Sequence, residues 1–369
     1  MRTHHVSNNK RVILISTAIA AVALISIAAL SNGCCYITKQ GANLIARQSR
    51  TVSIDKMLRD GGGKGGKGVT SETRDFLLRV GDIRSFAMDT LGLRRNNNYK
   101  KYLLVDRDYA VDVVTASKDD AFVPYKWWFP VVGSITYKGF FDKKDAEREV
   151  RRIKNKGNYD IYMGRADAFS TLGFFSDPVY SFMVNYSVYD LASLIIHEQT
   201  HATVYVRNQT QLNEEIATFV GDLGGLLYVE RRFGTESEEY RAAVLSKEDY
   251  ATYIDLMRSL HGELTALYGG DSGRGYKLSE KERIFADFRG RVSSRYDSLF
   301  RTPRYAGLKE AKLNNAVIAA RMTYNMDMAL YYELYESEGG DLAAVIRKLA
   351  ALKKVKGESK ERIREMIRK

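Results

Sequence analysis

The chain has 369 residues, 45% of them apolar, and a net charge of +12; that apolar share excludes a disordered polymer and suits one large globular body. Its only two cysteines are the adjacent Cys34 and Cys35, which excludes a disulfide framework, so stability has to come from the core. The basic excess comes with no sequence-reading nucleic-acid motif, and no nucleic acid is expected as a partner.

Residues 1–11 carry Arg2, Lys10 and Arg11 and lead into an almost wholly apolar run at 12–30. That run is long for a signal-peptide core and close to the roughly 20 residues that span a bilayer. Positive charge ahead of it keeps the amino terminus cytoplasmic, which predicts a body on the periplasmic or extracytoplasmic side. Ser31-Asn32-Gly33-Cys34 resembles a bacterial lipobox, with Ser31 where Leu is preferred. Residues 1–35 thus read either as an uncleaved membrane anchor or as the signal peptide of a lipoprotein modified at Cys34, and both tether the protein to a membrane. Residues 36–369 read as a single body.

Residues 41–59 read as a helix. Residues 60–68 form a Gly- and Lys-rich loop in which Gly61 and Gly66-Lys67 have the spacing of a phosphate cradle. Gly68 stands where Mg²⁺ binding needs Ser or Thr, and a helical pattern precedes the loop in place of a strand, so a basic linker is the reading. Phe76, Leu77, Val80, Ile83, Phe86 and Ala87 recur at helical spacing within 70–93. Runs rich in Val, Tyr, Phe and Trp at 109–116, 127–137 and 159–163 predict strands, with Trp127 and Trp128 as packing residues. They predict a small sheet ahead of the next segment, whose exposed edge could hold an extended chain by backbone hydrogen bonds.

Residues 191–225 organise the chain. They contain His-Glu-x-x-His, as His197, Glu198 and His201, behind the apolar run Leu194, Ile195 and Ile196. At 3.6 residues per turn, positions four apart project from one helix face, so the two imidazoles can share a metal ion. A catalytic zinc takes a third protein ligand and leaves its fourth position open. Asn213-Glu214 opens a second helical pattern, and Glu214, thirteen residues beyond His201, is the candidate. Glu215 is the weaker one, because it points about 100° around that helix from Glu214; a solvated carboxylate is its expected state. Zinc lowers the pKa of a bound water to about 7 and polarises a carbonyl, and Glu198 is placed to accept the water's proton and pass it to a leaving amine. The chemistry predicted is hydrolysis of an amide bond in a peptide, with one Zn²⁺ per chain.

Beyond Gly225 the pattern is nearly all helical. Ser279 with Glu282 fits a capping box ahead of Ile284, Phe288, Val292 and Leu299, and Leu256, Leu260, Leu264 and Leu267 form an apolar stripe. His261 has no spaced partner and reads as a surface or packed residue. Residues 308–336 read as one long helix. The tail, 353–369, has eight Lys or Arg against three Glu and reads as a solvated basic helix with a minor capacity for anionic lipid. The fold class expected is mainly α with a small β-sheet, an α+β plan.

The segment His197 to His201, followed by Leu212-Asn213-Glu214 and Ala217, resembles a family of predicted zinc aminopeptidases of Gram-negative bacteria. Further blocks are similar to that family in the same order: Ile83 to Ala87, Trp128 to Gly133, Tyr137 to Phe141, Phe169 to Gly173 with Asp177-Pro178, and Leu313 to Ala316 with Tyr324. The resemblance covers most of the chain after residue 35. It implies a gluzincin-like, zincin-type metallopeptidase in which the Asn-Glu motif supplies the third ligand, in agreement with Glu214. It also implies an aminopeptidase, and a role for Tyr324 in stabilising an oxyanion. Leu212, Glu215, Ile216 and Gln199-Thr200 depart from the family pattern without removing a ligand. The rival readings are a non-catalytic, zinc-stabilised binding or scaffold protein of the envelope, and a basic protein that binds acidic polymers or lipids through its tail.

Overall fold

The computed structural model describes residues 34–60, 69–129, 133–167, 176–207, 209–322, 328–352 and 358–368. The chain divides into two compact units, Met1–Arg50 with Lys126–Thr136, and Thr51–Tyr125 with Tyr137–Lys369. In chain order the elements are α1 (Cys34–Ser49), β1 (Val52–Ser53), α2 (Ile54–Asp60), α3 (Ser71–Asp89), β2 (Lys101–Leu103), β3 (Val111–Lys118), β4 (Trp127–Phe129), β5 (Gly133–Ile135), β6 (Tyr137–Phe140), α4 (Lys143–Lys154), β7 (Tyr159–Ala166) and β8 (Val179–Tyr180). From there on the structure is helical: α5 (Val188–Thr203), α6 (Thr210–Phe233), α7 (Glu238–Gly269), α8 (Arg274–Leu299), α9 (Asn315–Met322), α10 (Met328–Ser337), α11 (Leu342–Ala351) and α12 (Ser359–Ile367). The architecture is mainly helical with small sheets, as the α+β expectation has it.

The first unit holds α1 and the hairpin β4–β5, in which Trp127 pairs with Ile135 and Phe129 with Gly133. The ring of Tyr36 lies 5.7 Å from that of Phe129. Trp127 is buried and Trp128 is 68% exposed, so packing describes Trp127 alone.

In the second unit, β3 is the centre of an antiparallel sheet ordered β6-β3-β7, with Thr115 opposite Tyr137 and Val111 opposite Ala166. Val111, Val114 and Ala116 are buried in it, as its β-branched run predicts. Helix α4, capped by the Asp142 side chain on the Lys144 N–H, is an element the sequence reading did not assign. Helix α3 begins where Thr70 accepts the Thr73 N–H, and Phe76, Leu77, Val80, Ile83 and Ala87 bury one face of it. That face joins the main core with Leu191, Ile195 and Ile196 of α5 and Ile216, Phe219 and Val220 of α6. A second core packs Met257, Leu260 and Leu264 of α7 on Phe285, Phe288 and Val292 of α8. Leu256 and Leu267 of the expected stripe flank it, partly buried, and His261 stacks on Phe122 with ring centroids 4.1 Å apart.

Three expectations are corrected. The helix expected at 41–59 is two helices with β1 between them, because Val52 pairs with Tyr102 of β2. Ser279 and Glu282 lie inside α8, which starts at Arg274 after Gly273, so no capping box forms there. The long helix expected at 308–336 is a 3-10 turn (Pro303–Glu310), then α9 and α10. The chain breaks at Asn314-Asn315 because these asparagines bind the sheet: Asn314 Nδ2 donates to the Ile161 carbonyl (3.0 Å) and Asn315 Nδ2 to the Lys118 carbonyl (2.9 Å). Among the described residues no helix is long and apolar enough to cross a membrane. The apolar run at 12–30, the loop at 61–68, Phe169 to Gly173 and Tyr324 lie outside the described residues.

Candidate metal centre

Helix α5 starts at Ser187, whose hydroxyl accepts the Asp190 N–H (3.0 Å), and ends after Thr203. It is followed by a short turn that Asn213 closes: its Oδ1 accepts the Val206 N–H (2.7 Å) and its Nδ2 donates to the Val206 carbonyl (2.8 Å). Asn213 is 4% exposed, so this pair of bonds is shielded from water and fixes where α6 begins. Helix α6 then runs back along α5 at very short range. A Cβ at Gly221 would stand 2.8 Å from the Ser193 carbonyl oxygen and 3.0 Å from His197 Cβ, and one at Gly225 would stand 3.0 Å from the Ser193 backbone nitrogen. Any side chain at these two positions would push the helices apart.

That approach brings three sequence-predicted residues together. His197 Nε2 and His201 Nε2 are 3.2 Å apart, with ring planes at 81°. Glu214 Oε2 lies 3.5 Å from the first and 3.6 Å from the second. These are the ligand atoms of a possible metal site, all within 4.8 Å of one another. An ion in tetrahedral coordination at about 2.0–2.1 Å from each ligand sets ligand atoms about 3.3 Å apart. These spacings fit that, and the donor set of two imidazoles and one carboxylate fits zinc. Burial pushes the Glu214 carboxyl up, but the hydrogen bonds and positive charge of His197 and His201 outweigh it and hold its pKa at about 2. His197 is raised: burial lowers it, and the Glu214 hydrogen bond with the charges of Glu198, Glu214 and Asp222 reverses that.

Glu198 follows His197 on α5, and its charge reaches three groups that sequence reasoning did not single out as site residues. Burial first, then the negative charges of Glu214 and Glu198, push the Tyr137 phenol up to about 12. Burial and then Glu198 push the Asp177 carboxyl up to about 7. The Tyr99 phenol is raised by burial, then by Glu198 and Asp177. Tyr137 and Asp177 both stand in blocks quoted for the resemblance; Tyr99 carried no such signal.

Glu215 is corrected. It is fully buried where a solvated carboxylate was expected, and it lies outside the ligand group. Its oxygens accept from Tyr331 Oη (3.0 Å) and Gln211 Nε2 (2.9 Å) and pair with Lys360 Nζ at 3.0 Å. Lys360 belongs to the tail read as solvated, yet α12 buries Ile363 completely and docks through this ion pair. Gln199 and Thr200 are also fully buried: Thr200 Oγ1 bonds the Ile196 carbonyl (2.8 Å), and Gln199 Oε1 accepts from Asn96 Nδ2. Cys34 opens α1.

A family model described as "Putative aminopeptidase" matches residues 35–364. The chain belongs to this aminopeptidase family. Neither curated proteins nor solved structures give a match. The region matched contains both helices of the His197, His201 and Glu214 cluster, so the site lies within the part of the chain that the family model covers.

Proposed function

We propose that the protein is a zinc-dependent peptidase of zincin-like, gluzincin type that removes residues from the free amino end of peptides. The observation that carries this reading is the convergence of three ligand atoms at tetrahedral spacing, with the carboxylate-bearing Glu198 next in sequence to one ligand. His197, His201 and Glu214 would hold one Zn²⁺. When bound, such an ion supplies a Lewis acid that makes water nucleophilic near neutral pH and polarises a carbonyl. Glu198 takes the proton of the attacking water and returns it to the nitrogen of the departing amine, which needs a carboxylate beside the ligands and not among them. Asn213 and the close α5–α6 contact keep Glu214 aimed at the two rings, so the ligand set is preorganised. Tyr137, at the start of β6, brings a neutral phenol within the field of Glu214 and Glu198, and its proton is available to a developing negative charge on substrate oxygen.

The residue 1–35 segment completes the proposal: it tethers the body to a membrane, on the periplasmic or extracytoplasmic side, as an anchor or through Cys34. The test is the Glu198→Gln variant, which removes the proton acceptor and keeps the shape. It is expected to retain zinc and lose peptide cleavage. Zinc-loaded Glu198→Gln that still cleaves at the wild-type rate would refute the mechanism.

A further inference from the structure

We propose that Asp177 is the anchor for the α-ammonium group of the substrate, in a subsite it forms with Tyr99 beside Glu198. The inference rests on the peptidase reading and specifies what that site recognises.

The backbone holding Asp177 is built into the metal helix. Tyr99 N–H donates to the Asp177 carbonyl (2.7 Å), and Asp177 N–H donates to Asn98 Oδ1 (3.2 Å). The same stretch of chain is bound to α5 through Asn96 Nδ2 on Gln199 Oε1 and through the Arg94 N–H on Thr203 Oγ1 (2.9 Å). Arg84 fastens it from α3, with Nε on the Asn98 carbonyl (2.6 Å) and a terminal nitrogen on the Asn96 carbonyl (3.1 Å). Gln199, the residue after Glu198, is therefore the bracket that sets Asp177 in place relative to the general base.

Two polar groups in this bracket lack a partner. Among the described residues, the half-buried Asp177 carboxylate has no hydrogen bond and no ion pair, although its backbone has both bonds named above. The Tyr99 hydroxyl is buried, in a residue 1% exposed, with nothing to bond. Tyr99 also has φ 58°, a left-handed conformation that strains an aromatic residue and persists only where the surroundings enforce it. The charges of Asp177 and Glu198 both act on this phenol, so it lies within the fields of both carboxylates. Two carboxylates whose charges act on each other and on an unbonded buried phenol, half removed from water, are costly to keep. A primary ammonium group cancels that cost: it brings one positive charge and three N–H donors, and it converts the repulsion into attraction. On a peptide whose first carbonyl faces the ligand cluster, that group is the free amino terminus. Acetylation removes the charge and two of the donors, so the subsite accounts for selection of unblocked peptides.

The test uses the full chain loaded with one equivalent of zinc at pH 7 and two probes that mimic a first residue, L-leucinol with a free amine and N-acetyl-L-leucinol. Calorimetric titration is expected to show leucinol binding at least tenfold tighter than its acetylated form. Asp177→Asn is expected to abolish that preference, with zinc content and circular dichroism unchanged. Tyr99→Phe, which removes only the idle hydroxyl, is expected to reduce it several-fold. Wild-type affinity for leucinol in both variants, or equal affinity of the wild type for both probes, overturns the proposal. Failure of the underlying reading shows separately, as a wild-type protein that cleaves neither free nor acetylated peptides, because the leucinol titration does not depend on turnover.

Discussion

Glu214 and Glu215 are consecutive on one helix and have opposite surroundings. Glu214 faces α5, where the nearest partners are the two imidazole nitrogens at 3.5 and 3.6 Å. Glu215 faces α10 and α12, where Tyr331 and Lys360, with Gln211 one turn earlier on α6 itself, use up its oxygens and close it off from water. On the tail side, the chain neutralises a buried carboxylate with a cation of its own, 145 residues away. On the α5 side, the groups that meet Glu214 are the two imidazoles, the donor set of a possible metal site. The two faces of α6 thus separate an ion pair that anchors the tail from the His197, His201 and Glu214 cluster, and substitutions should separate along the same line.

The largest expected effect is on the α5 side. Glu214→Ala removes one of the three proposed ligands, and zinc affinity, measured by chelator competition, should fall by more than about 100-fold, beyond the loss seen when only a residue behind a ligand is changed. Thermal stability in the absence of zinc should change little. Lys360→Met reverses the pattern: it leaves the Glu215 charge buried with two neutral donors, and denaturant unfolding should show a loss of about 2 kcal/mol, less than for a fully buried pair because Lys360 is partly exposed. If instead zinc affinity collapsed and stability held, the division between the two faces would be wrong. Gly221→Ala strikes the α5–α6 contact itself and should cost about 1–3 kcal/mol as overpacking, together with zinc affinity, because the added methyl group meets both Ser193 O and His197 Cβ. Thr70→Ala sets the baseline. It removes the cap of α3, far along the chain from both faces, and should cost about 1 kcal/mol while leaving zinc affinity unchanged.

What the sequence disclosed was governed by local spacing. His197 and His201 are one helical turn apart, so their convergence follows from helix geometry alone. Glu214 was legible because a turn and a returning helix are a short-range construction. Residues whose role depends on distant partners were not legible in that way. Glu215 and Lys360 both looked solvated, since nothing local marks two charges that meet across 145 residues. Asn96 and Gln199 look like surface amides, yet they join across 103 residues in a part-buried hydrogen bond that leaves Gln199 fully buried. The break at Asn314-Asn315 was hidden for the same reason: the apolar spacing runs on, and the bonds that interrupt the helix come from β3 and β7. Helix α4 went unassigned because its interior is dominated by charged residues, with Ala146 and Ile153 its only buried apolar side chains.

The most direct test of the central claim is the zinc content of the purified wild-type chain, read by elemental mass spectrometry after dialysis against a zinc-buffered solution. The site described here predicts one zinc per chain. A folded chain that holds none, even with zinc supplied, would reduce the His197, His201 and Glu214 cluster to a packing motif and contradict the account.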